Sequence, residues 1–295
     1  MSTHPRQIAA GAVPDRLPVT LPRLSEMKRL GDPIVMVTAY DFPGAEVAEA
    51  AGVDMVLVGD SAAMTVLGHP STVSVSTEEM LMLAAAVRRG LRTPLLVGDL
   101  PFGSYEASDE QAVLTAQRFV KEAGCDAVKL EGGGASVDRA RAIVRAGIPV
   151  MGHVGLTPQT ATALGGYRAQ GRTAERAAQV AEDAVALQEA GCFSVVFEAI
   201  PAAVADLVMA RMEVPVIGIG AGGATDGQVL VFHDLLGLYD RLSPRFTKRY
   251  ADVRSVMVEG VRAYADEVRT GRFPAPEHTY SIDPEELERL RGILA

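Results

Sequence analysis

The chain has 295 residues, of which 48% are hydrophobic, and its formal net charge at pH 7 is −9. Its Lys and Arg residues are scattered among Asp and Glu and form no basic stripe, which argues against a nucleic-acid partner. No stretch approaches the roughly 20 apolar residues of a membrane span, and the first residues, Met1–Arg6, lack the charged and then apolar regions of a signal peptide. We therefore expect a cytoplasmic protein that binds neither nucleic acid nor a membrane.

The two ends of the chain differ in pattern from its middle. Residues 1–21 carry several prolines without sustained periodicity, which predicts a mobile N-terminal arm. Residues 275–295 are predicted to be a C-terminal extension with a short helix, because Asp283 can cap it and Glu286 follows three residues later. Residues 22–274 are expected to form one domain, since α/β barrels of about 250 residues fold as a single unit.

Short apolar runs rich in Val and Ile alternate with longer amphipathic segments in this central part. Nearly continuous hydrophobicity in a short run is typical of strands that are buried on both faces of a parallel sheet. Gly52, Gly124 and Gly191 each follow a predicted helix, where a left-handed residue costs little, and the chain then enters a strand. The predicted strands are Ile34–Asp41, Met55–Asp60, Leu95–Leu100, Ala127–Glu131, Pro149–Val154, Ser194–Ala199, Val214–Ile219 and a weaker Gln228–Phe232. The predicted helices include Thr77–Arg89, Asp109–Glu122, Ala174–Glu189 and Arg249–Thr270.

This alternation predicts an α/β fold of the (β/α)8 TIM-barrel type. About eight strand–helix units with the same punctuation suit a closed barrel, which leaves no sheet edge exposed. An open doubly wound sheet is the alternative. The two cysteines, Cys125 and Cys192, each precede a predicted strand and are expected to be buried thiols, with a disulfide or metal role less favoured.

Acidic residues stand at the ends of three consecutive predicted strands. Asp60, Asp99 and Glu131 end the second, third and fourth strands, and in a barrel these ends meet at one mouth. Three carboxylates converging there would repel one another unless a cation lay among them. Hard oxygen ligands without His or Cys at zinc-like spacing favour Mg²⁺. The alternative is that each acid caps a following helix or forms a separate salt bridge.

Three further residues at strand ends are candidates for chemistry. Lys129 and Glu131 are two apart on one strand and share a face, so both are expected to point inward, where Lys129 could neutralise an anionic substrate or a developing enolate. Glu198 ends the sixth strand among apolar neighbours that disfavour its charged form, which suits a general base; pairing with an arginine is the alternative. His153 ends the fifth strand and is a candidate hydrogen-bond donor to substrate, or else a satisfied core histidine.

Two glycine-rich stretches, Glu131–Ser136 and Gly218–Gly223, resemble phosphate-binding loops. The second matches the GxGxxG pattern after a strand. It lies on the seventh strand instead of the first, and Asp226 and Gly227 would break the helix that a dinucleotide site needs. Close approach of backbone to a ligand is therefore the preferred interpretation of these glycines.

Several segments together resemble the ketopantoate hydroxymethyltransferase family over roughly Leu24 to His278. The resemblance implies a barrel that transfers a hydroxymethyl group from 5,10-methylenetetrahydrofolate to 3-methyl-2-oxobutanoate with Mg²⁺, giving 2-dehydropantoate for pantothenate biosynthesis. The matching segments are Thr38–Asp41, Val58–Ser61, Thr72–Thr77, Gly98–Phe102, Val128–Gly132, Gly152–Gln159 and Gly218–Gly222.

The resemblance also implies residue roles and an assembly. Asp60, Asp99 and Glu131 would form the metal site, and Glu198 would be the proton acceptor. Ser61 and Lys129 would join Asp60 and Asp99 in holding the 2-oxo acid, and the chain would assemble as a homodecamer. The sequence departs from the family pattern in the N-terminal arm, around Phe197-Glu198-Ala199 and after His278.

Two other functions stay open at this point. One is another Mg²⁺-dependent enzyme of 2-oxo acids, of the isocitrate lyase or phosphoenolpyruvate mutase type, which makes or breaks C–C or P–C bonds. Such enzymes carry a catalytic cysteine on a mobile loop, whereas neither Cys125 nor Cys192 is expected at the mouth. The other is a non-catalytic metabolite-binding barrel, against which the set of acids argues.

Overall fold

Eight parallel strands close into a barrel in which each strand pairs with the next along the chain and the eighth pairs with the first. The structure is a computed structural model that describes residues 16–240 and 244–295. The predicted fold and all eight predicted strands are confirmed, with shifts of a few residues at their ends. The strands are β1 Ile34–Thr38, β2 Met55–Val58, β3 Leu95–Asp99, β4 Ala127–Lys129, β5 Val150–Gly155, β6 Ser194–Glu198, β7 Val216–Ile219 and β8 Gly227–Leu230.

A capping residue accounts for the difference between the predicted and observed end of β1. β1 was predicted to reach Asp41 but ends at Thr38, because the Asp41 side chain accepts a hydrogen bond from the backbone of Gly44 and starts the next helix. Gly52 ends that helix in the left-handed conformation, at φ 71°, as predicted. The helices are α1 Leu21–Leu30, α2 Phe42–Ala51, α3 Ala62–Thr65, α4 Thr77–Gly90, α5 Asp109–Lys121, α6 Ala135–Arg145, α7 Ala174–Glu189, α8 Ala202–Met209, α9 Phe232–Leu235, α10 Val253–Arg269 and α11 Pro284–Leu294.

Buried side chains form two layers, one between strands and helices and one inside the barrel. Cys125 and Cys192 are both free and both buried in the outer layer, so the prediction of buried thiols is confirmed. Burial raises the pKa of each thiol to about 12. The inner layer includes Leu24 and Met27 of α1, which therefore closes the barrel at the end where the strands begin.

The segment before α1 lies against the barrel. Residues 1–15 of the predicted arm are outside the described part of the chain. The guanidinium group of Arg16 bonds to the carbonyl of Val53 at 2.9 Å, and the backbone of Val19 donates to the carbonyl of Thr93 at 2.8 Å. α1 begins at Leu21, inside the segment expected to be an arm. The division of the chain into arm, barrel and extension remains a prediction.

The ring of helices around the barrel has a gap beside β8. Residues 220–226, which link β7 to β8, are fully described and hold no helix. α10 is described throughout, and none of its residues is buried. On the outer face of the barrel, Val35 of β1 is 51% exposed and its neighbour Gln228 of β8 is also exposed. Among the described helices, none is both long enough and apolar enough to cross a membrane.

Candidate active site

The carboxyl ends of the strands form a mouth that holds all of the candidate site residues predicted from the sequence. β2, β3, β4, β5 and β6 each carry one or two of these residues at or just beyond their ends. Active sites of TIM barrels lie at the carboxyl ends of the strands, and the candidate residues of this chain lie at the same end. A cavity of about 150 Å³ is lined by Asp60, Ser61, Asp99, Lys129, Glu131, His153 and Glu198, together with apolar residues.

Lys129 lies at the centre of the acids. Its Nζ is 2.7 Å from Oδ1 of Asp99 and 3.4 Å from Oε1 of Glu131, and all three side chains are almost fully buried. Burial opposes the charge on the lysine, but Asp99, Glu131 and Asp60 outweigh it and raise the pKa of Lys129. The lysine is therefore a fixed positive charge, and the prediction that Lys129 and Glu131 face the barrel interior is confirmed.

Asp60 and Asp99 are neighbours at the carboxyl ends of β2 and β3. The backbone N–H of Asp60 donates to Oδ2 of Asp99 at 3.1 Å. Burial and the charges of Asp99 and Glu131 raise the pKa of Asp60 well above its usual value. Burial also raises the pKa of Asp99, although Lys129 opposes the rise. One lysine is thus too little positive charge for these two carboxylates and Glu131 together.

Glu131 is held by donors on both of its oxygens. Oε1 is near Lys129 and is 3.2 Å from Nδ1 of His153, while Oε2 accepts a hydrogen bond from the backbone of Gln159 at 3.1 Å. Burial disfavours the carboxylate, but Lys129 and His153 overcome that effect and lower the pKa of Glu131 to about 2. Glu131 is therefore ionised at neutral pH.

His153 connects the two halves of the mouth. Its Nδ1 is 3.2 Å from Oε1 of Glu131, and its Nε2 is 3.2 Å from Oε2 of Glu198. Neither contact has the alignment of a hydrogen bond, so both buried ring nitrogens lack a well-directed partner among the described residues. Burial and Lys129 disfavour protonation, but the two glutamates outweigh them and raise the pKa of His153 to about 9. His153 is therefore a buried cationic group between two carboxylates of the mouth, and its role in the chemistry stays a prediction.

Glu198 ends β6 at the rim of the cavity, where its side chain is 16% exposed. In the described part of the chain its charged neighbour is His153, and no arginine pairs with it. The next residue, Ala199, has φ 49°, a left-handed conformation that is uncommon for a residue with a Cβ. Its N–H donates to Ile219 and its carbonyl accepts from Gln170, so neighbouring segments hold the turn that directs Glu198.

Two residues of the site were not identified from the sequence. The side-chain amide of Gln159 donates to Oδ2 of Asp60 at 3.1 Å and to the carbonyl of Leu100 at 2.9 Å. The hydroxyl of Tyr40 lies 2.8 Å from Oγ of Ser61, and burial raises the pKa of Tyr40 to about 12. Both residues lie in segments quoted for the family resemblance, which was the only signal for them.

The donor set fits a hard divalent cation by its chemistry, although it is not arranged around one. Within residues 16–240 and 244–295, no three His, Cys, Asp or Glu side chains are grouped closely enough to hold a metal ion. The cavity is nevertheless lined by five carboxyl groups, including Asp234, against Lys129 and His153 as cationic groups. Oxygen donors with excess negative charge are what Mg²⁺ prefers in proteins. Asp60, Asp99 and Glu131 are therefore the residues that could hold it.

One of the glycines after β7 makes room for a side chain of the protein. A Cβ on Gly220 would lie 2.5 Å from Cδ1 of Phe246, so the absence of a side chain there lets the Phe246 ring approach the backbone. The expected approach of a ligand to these glycines stays a prediction. The absence of a helix from residues 220–226 agrees with rejection of a dinucleotide site.

Comparison with known proteins gives one consistent family. A family model described as ketopantoate hydroxymethyltransferase matches residues 18–276. A protein of Moorella thermoacetica named 3-methyl-2-oxobutanoate hydroxymethyltransferase is 55% identical over 262 residues, covering 89% of this chain and 97% of that one. A protein of Arabidopsis thaliana, named 3-methyl-2-oxobutanoate hydroxymethyltransferase 1, mitochondrial, is 50% identical over 298 residues, covering 98% and 86%.

Solved structures that resemble this one share its fold at low sequence identity. A phosphonopyruvate hydrolase in complex with oxalate and Mg²⁺ has a TM-score of 0.58 at 14% identity, covering 92% of this chain and 97% of that one. A 2,3-dimethylmalate lyase of the phosphoenolpyruvate mutase/isocitrate lyase superfamily has a TM-score of 0.53 at 17% identity, covering 92% and 94%. These similarities concern the barrel alone.

Proposed function

The chain belongs to the ketopantoate hydroxymethyltransferase family, and on that premise we propose that it moves a hydroxymethyl group from 5,10-methylenetetrahydrofolate to 3-methyl-2-oxobutanoate. The product is 2-dehydropantoate, an intermediate of pantothenate biosynthesis. The observation that best supports the proposal is that Glu198, Lys129, Asp60 and Asp99 line the same cavity. An acidifying centre and a base are what removal of a proton next to a carbonyl requires.

The cation in this proposal is Mg²⁺, held by Asp60, Asp99 and Glu131. When bound, it would supply Lewis acidity that draws electron density from the 2-oxo acid and acidifies the proton on C3. The raised pKa values of Asp60 and Asp99 support this assignment, because a divalent cation would supply the positive charge that Lys129 alone does not provide.

The protein's own residues bind the substrate and handle its proton. The Lys129 ammonium, kept charged by its acidic neighbours, would neutralise the carboxylate of the oxo acid and the oxygen of the enolate. Asp60, Ser61 and Asp99 would complete the substrate contacts. Glu198, at the rim and beside His153, would accept the C3 proton.

The bond changes balance with one water molecule. The C3–H bond breaks and a bond forms between C3 and the methylene carbon of the folate. Both C–N bonds of that methylene are lost, one replaced by the new C–C bond and the other by a C–O bond from water. The C3 proton and one proton of water end on the two folate nitrogens, which gives tetrahydrofolate.

The alternative functions are less well supported. Cys125 and Cys192 lie in the layer between strands and helices, not at the mouth, so neither suits the cysteine chemistry of the isocitrate lyase type. A non-catalytic barrel would have no use for a base beside a cationic histidine at the cavity rim.

Proton NMR in D2O tests the proposal through exchange of the C3 proton of 3-methyl-2-oxobutanoate. The wild-type protein with Mg²⁺ is expected to exchange this proton without any folate, and Glu198→Gln should slow exchange by about 100-fold or more. In Asp99→Ala, the rate of C3 proton exchange should no longer depend on Mg²⁺. The control is Glu213→Gln, which changes an exposed acid before β7 at the opposite end of the barrel. Exchange at wild-type rate in Glu198→Gln would overturn the assignment of the base.

On the basis of the family resemblance, the proposed assembly is a homodecamer. Support comes from α10, on which Met257, Val261, Tyr264 and Val268 are 46–68% exposed and recur at helical spacing on one face. An apolar stripe of this kind is usually covered in a stable protein. Val35 on the outer face of β1, which is 51% exposed beside the gap in the helix ring, offers an apolar contact for this stripe in a second copy. Light scattering after size exclusion should give a decamer for the wild type and smaller species for Val261→Asp.

A cytoplasmic location of the protein remains a prediction.

A further inference from the structure

A second cleft adjoins the active-site cavity at Glu198. It measures about 800 Å³, and Tyr167, Glu198, Pro244 and Phe246 line both the cleft and the cavity. The cleft is within the size range of small-molecule sites, roughly 300–1,000 Å³. A ligand in the cleft would therefore reach Glu198, the carboxylate proposed to accept the C3 proton of the oxo acid.

The walls of the cleft are largely apolar and aromatic. Leu156 and Ile200 are buried, whereas the ring of Tyr167 is 46% exposed on the loop that follows β5. The ring of Phe246 packs against the backbone of Gly220, where a side chain on the glycine would exclude it. Two rings at the junction with the cavity suit a flat, conjugated ligand, since aromatic rings stack on such groups.

Two arginines line the cleft in a chain whose net charge is −9. The side chains of Arg168 and Arg245 are both exposed, and neither forms an ion pair with an acid among the described residues. The cavity itself is lined by carboxyl groups, so the charge changes sign from the interior to the outer cleft. This polarity favours an elongated ligand with a neutral head and an anionic tail.

We propose that this cleft binds the one-carbon donor, with its reduced pterin ring between Tyr167 and Phe246 and its glutamyl carboxylates at Arg168 and Arg245. The aromatic linker between these two ends would lie along Leu156 and Ile200. The methylene carbon, on the pterin side, would then lie next to Glu198 and to C3 of the oxo acid. The inference rests on the proposed function for the identity of the donor, but the binding geometry is tested separately.

Calorimetric titration of the whole protein with tetrahydrofolate, in the presence of Mg²⁺ and 3-methyl-2-oxobutanoate, measures this binding directly. Arg168→Ala and Arg245→Ala are each expected to weaken binding by about tenfold, since each removes a charge-assisted contact to a carboxylate. Tetrahydropteroate, which lacks the glutamate, should bind these variants and the wild type equally. The control is Arg211→Ala, an exposed arginine after α8 at the opposite end of the barrel, which should leave both ligands unaffected.

The outcomes separate this inference from the proposed function. Equal affinity of tetrahydrofolate for the wild type and both arginine variants would overturn the cleft assignment, as would an equal loss for both ligands. The C3 proton exchange needs no folate, so its absence from the wild type would count against the proposed reaction alone. A weaker tetrahydrofolate affinity in the arginine variants with unchanged tetrahydropteroate affinity would support the cleft.

Discussion

Nζ of Lys129 lies 2.7 Å from Oδ1 of Asp99, and this ion pair joins the ends of β4 and β3 inside the barrel. Both side chains are nearly inaccessible to water, at 4% and 2% exposure. Charges in such a place depend on each other, because an unpaired buried charge is costly. Removal of one partner of this pair therefore tests how positive and negative charges compensate each other at the mouth.

Lys129→Met is expected to lower the free energy of unfolding by about 3–5 kcal/mol in the absence of metal, because it leaves buried carboxylates unpaired. Mg²⁺ should restore more stability to this variant than it adds to the wild type. Urea unfolding with and without Mg²⁺ measures both effects. The matched control is Lys28→Met, since Lys28 pairs with Asp226 at 2.8 Å far from the mouth. An equal Mg²⁺ response in the two variants would contradict the proposed charge balance.

His153→Gln should slow the exchange of the substrate C3 proton by about 10–100-fold, as loss of a partner behind a functional carboxylate commonly does. The reason is that His153 is the charged neighbour of Glu198 and holds it between β5 and β6. The affinity for the oxo acid, measured by calorimetry, should change little. A large loss of affinity with an unchanged exchange rate at saturation would show that His153 holds substrate and does not position the base.

Ala199→Gly is expected to raise the free energy of unfolding by up to about 1 kcal/mol, because glycine removes the steric cost of φ 49°. Glycine also loses more conformational entropy on folding than alanine does, and this loss offsets part of the gain. The same change at Ala178, an exposed position within α7, should lower it by about 1 kcal/mol. Urea unfolding of both variants checks the contrast. Equal destabilisation of the two would mean that the turn after Glu198 carries no strain.

Asp234, which lines the cavity, is expected to make the free energy of unfolding of the protein depend on pH. Burial raises the pKa of Asp234 to about 6, with Arg249 opposing the rise. Because the folded-state pKa exceeds the unfolded value of about 3.9, the stability linked to its protonated form is present below about pH 4 and is lost as pH rises through about 6. Asp234→Asn should therefore become more stable relative to the wild type between these pH values. Asp240→Asn, at an exposed carboxylate, should show no such trend in thermal unfolding.

The residues that sequence patterns could find are those fixed by the barrel itself. Asp60, Asp99 and Glu131 follow strands whose ends must meet, so their proximity follows from the fold. Gln159 could not be found in this way, because it reaches Asp60 from a turn after β5 whose path no periodicity records. The contact of Lys129 with Asp99 depends on the register of neighbouring strands.

Side-chain packing decided other features that sequence patterns left open. Sequence patterns did not reveal that Gly220 accommodates Phe246, which lies 26 residues further along the chain. The helix at residues 249–270 was predicted correctly apart from its ends, yet its amphipathic pattern did not reveal that α10 leaves its apolar side chains exposed.

Asp60 and Asp99 are proposed to hold one divalent cation together with the oxo acid. Anomalous diffraction from crystals grown with Mn²⁺ and 3-methyl-2-oxobutanoate would locate that cation. We predict one peak within about 2.0–2.3 Å of an oxygen of each carboxylate, with the oxo acid completing the ion's oxygen ligands. No peak in the mouth, with Asp60 and Asp99 retaining only the protein contacts described above, would contradict the account.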